Sequence, residues 1–306
     1  MVGSVDAPTT TAVTPPRLAS LSAEWAQLEY SSRSMAFVRD GRRLLRAWGS
    51  PERPWVVGVE PDGGRWKVVA WGAGPVEARA AVRALFSLDH PVERFYALTR
   101  REPVLRGTER QFRGLRLPRD AHLFEALLHS IVGQQLSVAS ANALKRRLIE
   151  RTGAWVRAGS VDVPSAPRPS SVLRLDVAGL RALGMSRAKS RALVELARWT
   201  GARPPREATL ARAELNAART ALTSLYGVGR WTAENALLRG TGRRDVFVAG
   251  DLGIRVALEE YAKIPRSAPE ERARAWADRS YPGWGSYATL YLWRRLVTDR
   301  ARASTG

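Results

Sequence analysis

Leu225-Tyr226-Gly227-Val228-Gly229-Arg230-Trp231-Thr232-Ala233 is the stretch on which the reading of this chain turns. Helical spacing of apolar residues lies on both sides, over Ala208 to Leu225 and over Arg230 to Leu238. The Gly-x-Gly between them makes a tight turn, since glycine accepts positive φ and lets another backbone come close. Amides beyond such a turn sit at a helix N-terminus and point outward, an arrangement suited to one phosphate. Any helix–helix turn can carry a Gly-x-Gly, so its weight comes from the residues downstream of it. After Gly240-Thr241-Gly242 comes Asp245-Val246-Phe247-Val248-Ala249-Gly250-Asp251, which opens a further helix. Asp251 lies 20 residues beyond Trp231. An Asp there reads equally as a helix N-cap and as a rigidly held carboxylate at the mouth of a cleft.

Outward from this core, the region 106–300 reads as all-helical, with a helix–hairpin–helix at 218–239. His122 to Arg147 has helical spacing broken at Gly133-Gln134-Gln135. Thr152 to Ser171 is rich in Pro, Ser and Ala and reads as a loop. Val172 to Leu183, Ser186 to Trp199, Asp251 to Tyr261, Pro269 to Arg279 and Ser286 to Leu296 read as further helices. Residues 21–105 read instead as a small α+β domain with an antiparallel sheet. Trp25 to Tyr30 alternates apolar and polar residues, and Pro54–Val59 and Trp66–Trp71 flank the hairpin signal Pro61-Asp62-Gly63-Gly64. Pro75 to Leu88 has helical spacing, with Pro75 where a first turn tolerates it. Residues 1–20, rich in Thr, Pro and Ala, read as a flexible tail and not as a signal peptide. The fold class is mainly α with an N-terminal α+β domain.

Composition narrows the function. The 306 residues carry 49 Lys+Arg against 29 Asp+Glu, a net charge of +20. Only Lys67, Lys145, Lys189 and Lys263 are lysines. Codon bias explains Arg over Lys but not basic over acidic, so the charge points to a polyanion, most simply nucleic acid. The chain has no Cys, which excludes disulfides, thiolate zinc sites, Cys-ligated iron–sulfur clusters and a cysteine nucleophile. No apolar run approaches the ~20 residues that span a bilayer. A cytoplasmic, nucleoid-associated protein is expected, and a monomer.

Leu225 to Asp251 resembles the helix–hairpin–helix, Gly/Pro-rich loop and catalytic Asp of the base-excision DNA glycosylase superfamily. Phe124-Glu125-Ala126-Leu127-Leu128-His129-Ser130-Ile131-Val132-Gly133-Gln134-Gln135-Leu136-Ser137-Val138-Ala139 resembles the early helix and DNA-wedging loop of the DNA-3-methyladenine glycosylase II branch. Leu180 to Lys189 and Trp284-Gly285-Ser286-Tyr287-Ala288 are similar to the same branch. Bifunctional relatives place a Lys nucleophile where this chain has Trp231, and other branches carry a four-Cys cluster. The resemblance therefore implies a monofunctional enzyme with no iron–sulfur cluster and no required cofactor. Its partner would be double-stranded DNA containing damaged bases, with no membrane involved.

For such an enzyme the chemistry is simple. A 3- or 7-alkylated purine is already a good leaving group, so the group that needs stabilising is the oxocarbenium-like sugar. One preorganised carboxylate near C1′ does this and can orient the attacking water. Asp251 is the candidate. Gln135 or Leu136 is the candidate wedge that fills the gap left by the flipped base, with core packing the plain alternative for Leu136. The resemblance places Trp231, Trp284 and Tyr287 at a base pocket, where aromatic faces attract an electron-poor base. Asn235 replaces a family Tyr and either meets a base edge or faces solvent, and Gly250 replaces a second acidic residue. Gly227, Gly229, Arg230 and Thr232 are the candidate phosphate contacts. The resemblance also implies a structural Na+ or K+ on the backbone carbonyls of Thr223, Leu225 and Val228. His122 and His129 read as surface or wedge-region residues rather than metal ligands. Alternatives are a glycosylase for hypoxanthine, uracil or an oxidised purine, a non-catalytic helix–hairpin–helix DNA-binding protein, and a basic RNA-binding protein.

Overall fold

The computed structural model describes residues 7–23, 36–202 and 206–303. Trp25 to Tyr30, expected as a strand, lies outside them. Five antiparallel strands come first: β1 (Thr9–Val13), β2 (Phe37–Asp40), β3 (Arg43–Ser50), β4 (Arg53–Asp62) and β5 (Arg65–Trp71). Their spatial order is β1-β5-β4-β3-β2. The β4–β5 hairpin closes on Gly63 and Gly64, with φ of 51° and 84°, the positive pair that a type I′ turn requires. One correction falls in the expected tail. Thr9 to Val13 pair with Ala70 to Trp66 and complete the sheet edge.

Both faces of the sheet are covered. On one, α1 (Pro75–Leu85) buries Ala78, Val82 and Leu85 against Val57, Val59, Val68 and Ala70. On the other, Leu45, Ala47, Val56, Val69 and Trp71 pack on Ala158 and Val163. Those two belong to a small hairpin, β6 (Trp155–Ala158) and β7 (Val161–Pro164). The loop expected over Thr152 to Ser171 is thus partly a hairpin. Its four-residue strands are too short to show a period, and the sheet supplies the apolar surface that orders them.

Helices come next: α2 (Val92–Arg101), α3 (Thr108–Gln111), α4 (Leu123–Gly133), α5 (Val138–Thr152), α6 (Pro169–Ala182), α7 (Arg187–Gly201), α8 (Glu207–Arg212), α9 (Leu215–Thr223), α10 (Arg230–Ala236), α11 (Leu252–Ala262), α12 (Glu270–Ser280) and α13 (Gly285–Ala303). Every residue of α4 from Leu123 to Val132 is buried, so this helix is the centre of the core. The expected boundary at residue 105 moves earlier. Phe95 of α2 lies against Tyr281, Trp284, Tyr287 and Tyr291, inside the helical core. Ala208 to Leu225, read as one helix, breaks at Glu214, whose carboxylate caps α9 by accepting from the Ala217 amide at 3.0 Å. Such a cap ends one helix and starts the next.

Between α10 and the Gly242 turn the backbone widens into a π-turn over Leu237–Thr241. Here Gly240 passes close to α4: a Cβ on it would lie 3.0 Å from the Leu123 Cα. The absence of a side chain is what lets the two backbones touch.

Candidate active site

Asp251 opens α11 as its N-cap, its Oδ1 accepting from the Ile254 amide at 3.1 Å. Both oxygens are also held from other helices. Trp231 Nε1, on α10, donates to Oδ2 at 3.0 Å. Trp293 Nε1, on α13, donates to Oδ1 at 2.8 Å. The N-cap reading and the held-carboxylate reading are therefore satisfied by the same side chain. Asp251 keeps partial exposure, and Leu252 beside it is 73% exposed. The result is a carboxylate of fixed direction at a surface, next to an apolar side chain that is largely exposed. Trp293 was missed in the sequence. It lies 42 residues from its partner and in no local pattern, so only the fold joins them.

The other expected pocket residues divide. Trp231 is half-buried and uses its N–H on Asp251. Trp284 and Tyr287 are buried in the aromatic core with Phe95, and the Arg244 guanidinium lies 5.0 Å over the Trp284 ring. The Tyr287 hydroxyl meets His90 Nδ1 at 3.1 Å. Burial and three nearby cations, Arg116, Arg244 and Arg119, push His90 down to about 4. Asn235 does not face solvent. It is buried, and its Nδ2 donates back to the Trp231 carbonyl at 3.1 Å.

In the hairpin, Gly227 has φ of 75°, and a Cβ there would lie 2.5 Å from the Ala192 Cβ of α7. Gly229 is the N-cap of α10 and supplies no side chain to its first amides. Gly229 and Arg230 are exposed, although Arg230 also reaches Glu234 at 3.3 Å and Glu271 at 3.5 Å. Thr232 differs from expectation. Its side chain is buried, and its Oγ1 accepts from Gln134 Nε2 at 2.9 Å, so only its backbone can serve a phosphate. Gln135 and Leu136 are both exposed, Leu136 at 39%, which removes the core-packing reading of Leu136.

The description "HhH-GPD superfamily base excision DNA repair protein" belongs to the family model that matches residues 128–280, half of the chain. The chain belongs to this superfamily. Among its relatives is a DNA-3-methyladenine glycosylase of Bacillus subtilis, 29% identical over 213 residues, which are 69% of each chain. The DNA-3-methyladenine glycosylase 2 of Escherichia coli is 33% identical over 186 residues, 59% of this chain and 60% of that protein. This chain thus spans 69% and 60% of the lengths of these two relatives. The solved structure of a 3-methyladenine DNA glycosylase from Archaeoglobus fulgidus has a TM-score of 0.81 at 25% identity, covering 94% of this chain and 98% of that one.

Two features stand beside the superfamily pattern. At Gly250, a Cβ would lie 2.7 Å from Glu270 Oε1, so the α12 carboxylate stands close to this residue. The second feature corrects the histidine reading. His129 is buried, and its ring nitrogens lie 3.5 Å from Asp120 Oδ1 and 3.9 Å from Glu125 Oε1. Donor atoms of these three side chains come within 4.8 Å of one another, as metal ligands would. A cation already meets this cluster. Arg46 Nη2, from β3, reaches Glu125 Oε2 at 2.6 Å with both groups buried. Burial pushes the Glu125 carboxyl up, but the Arg46 guanidinium outweighs it and holds it below the usual range. Burial and Lys145 hold His129 down in turn. The cluster is a charge-balanced joint between the sheet and α4. No described helix is long and apolar enough to cross a membrane.

Proposed function

We propose that this chain is a monofunctional DNA glycosylase that removes alkylated purines of the 3-methyladenine and 7-methylguanine type from duplex DNA. The observation that carries the reading is Asp251, fixed by two indole N–H groups and a helix amide at a partly open position. A carboxylate held this way needs no reorganisation when positive charge develops nearby, which is where electrostatic catalysis is strongest. The damaged base first leaves the stack, at a cost of a few kcal/mol that is smallest for a weakened pair. Its glycosidic bond then breaks, and the base departs with the bonding electrons. Asp251 stabilises the cationic sugar and orients the water that attacks C1′, and the water's proton passes to the carboxylate or to solvent. Trp231 serves twice, aiming Asp251 and presenting an aromatic wall.

The hairpin supplies the grip on the backbone. Exposed Gly229 and Arg230, with the uncapped amides of α10, suit one phosphate. Carbonyls of Thr223, Leu225 and Val228 would hold a monovalent cation. The chemistry of the donors suits such an ion: Thr223 lies at the C-terminal, electronegative end of α9, and the neutral carbonyls of Leu225 and Val228 follow in the hairpin, where Leu225 O also accepts from the Val228 amide at 3.1 Å. Such an ion would add positive charge beside the phosphate. Nothing in the chemistry requires a second subunit, so we take the enzyme as a monomer.

The deciding experiment is mass spectrometry of released bases over a lesion panel: methylated, hypoxanthine, uracil and oxidised-purine duplexes. Wild-type protein should release 3-methyladenine or 7-methylguanine, and Asp251→Asn should be at least ~100-fold slower. Release only from another lesion would move the enzyme to that substrate. No release by either protein would leave a DNA-binding module.

A further inference from the structure

The loop after α4 is built around a left-handed residue. Gln135 has φ of 55°, unfavourable for a residue with a side chain. Two weak turn bonds surround it, Gln134 N to Ile131 O and Leu136 N to Gly133 O, each 3.3 Å. On its own such a segment would relax. Two side chains outside the turn hold it. Lys189, near the start of α7, donates from Nζ to the Val132 carbonyl at 3.0 Å and to the Gln134 carbonyl at 2.7 Å. Gln134 donates from Nε2 to the Gly227 carbonyl and to Thr232 Oγ1, both at 2.9 Å. Gly227 in turn rests on Ala192 of α7, one helical turn beyond Lys189. The three segments close a ring: α7 to loop, loop to hairpin, hairpin to α7.

We infer that Lys189 and Gln134 are positioning residues that lock the Gln135–Leu136 tip at a set distance from the phosphate-binding hairpin. The inference rests on the proposed reading of that tip as the wedge. A wedge must enter the stack at the site whose flanking phosphate the hairpin grips. A tip free to swing would bind the backbone equally well and fill the gap less often. An ammonium suits the task because its three donors can satisfy two converging carbonyls at the end of a helix, where cations are favoured. Lys189 thereby has a function although it lies far from Asp251 in sequence and makes no contact with it.

The test uses the full chain on a duplex carrying 2-aminopurine opposite a tetrahydrofuran abasic-site analogue. Fluorescence reports insertion of the wedge, and anisotropy on the same duplex reports binding. Lys189→Met and Gln134→Ala should each show at most half the wild-type fluorescence change at saturating protein, with Kd raised less than threefold. Wild-type amplitude in both variants would overturn the inference. So would a loss of amplitude accompanied by an equal loss of binding, which marks general damage. If Lys189→Met does not fold, Gln134→Ala alone decides, since that side chain lies on a surface loop. Absence of any fluorescence change with wild-type protein would overturn the wedge reading itself, while base release would still report separately on Asp251.

Discussion

Asp251 takes hydrogen bonds from α10, α11 and α13, and each donor has a different weight. The Ile254 amide is a helix cap, which Asn can also satisfy. Asn keeps the cap through Oδ1 but sets its Nδ2 donor against the Trp231 N–H, so Asp251→Asn should cost about 1–3 kcal/mol in urea unfolding and still fold, while losing base release. Such a split would separate the chemistry from the cap. Trp293→Phe removes the indole N–H and keeps a smaller aromatic side chain. A hydrogen bond to a charged group contributes about 1.5–3 kcal/mol, so single-turnover release should slow roughly 10- to 100-fold, with KM nearly unchanged. A rise in KM at constant kcat would instead place Trp293 in substrate binding. At this scale the sequence was informative where a residue sits in a local motif. Asp251 and Trp231 are 20 positions apart in one contiguous block. Trp293 is opposite its partner only because α13 packs there, and no spacing rule announces that.

Elements were legible where their period was long. α4, α7, α11 and α12 lie close to the spans that apolar spacing indicates, and the β4–β5 hairpin was marked by its glycines. The errors were short pieces. β1 and the β6–β7 hairpin take their order from the sheet they join, through contacts remote in sequence. Glu214 divides α8 from α9 with a cap that also fits a helix interior. The π-turn at Leu237–Thr241 is another feature without a sequence period. Its Gly240 is a sensitive point. Gly240→Ala would push a methyl group toward the Leu123 Cα at 3.0 Å, and backbone cannot move as a side-chain tip can. The expected cost is about 1–3 kcal/mol in urea unfolding, with a smaller effect on DNA binding because the contact faces the core.

Across the whole molecule, the charged joint of Arg46 and Glu125 fastens the sheet to the centre of the helical core. Arg46→Met leaves Glu125 buried without its cation and should destabilise the protein by about 3–5 kcal/mol. Acid should loosen the same region. His122 Nδ1 accepts from the Glu125 amide at 3.0 Å, which only an unprotonated ring can do. Burial, partly opposed by Glu125, pushes this histidine down to about 4, as burial and arginines do for His90. Unfolded histidine titrates near ~6.5, so between these values the unfolded chain binds more protons, and stability falls as pH falls. Melting temperature should drop from pH ~6.5 to about 4, and less steeply in His122→Asn, which keeps the cap without the titration. The net charge of +20 predicts steep salt dependence of duplex binding, with log K falling linearly against log salt. Charge alone indicated a polyanion, and the hairpin narrowed that to a phosphate backbone.

The clamp on Asp251 also sets when, during synthesis, that carboxylate is completely held. Hairpin, carboxylate and capping amide all leave the ribosome before Trp293 does. A nascent chain stopped short of α13 lacks one of the carboxylate's three fixing donors and also Tyr287, Tyr291 and Leu292 of the buried core. A helix made after all of these therefore both closes the core and completes the clamp on Asp251.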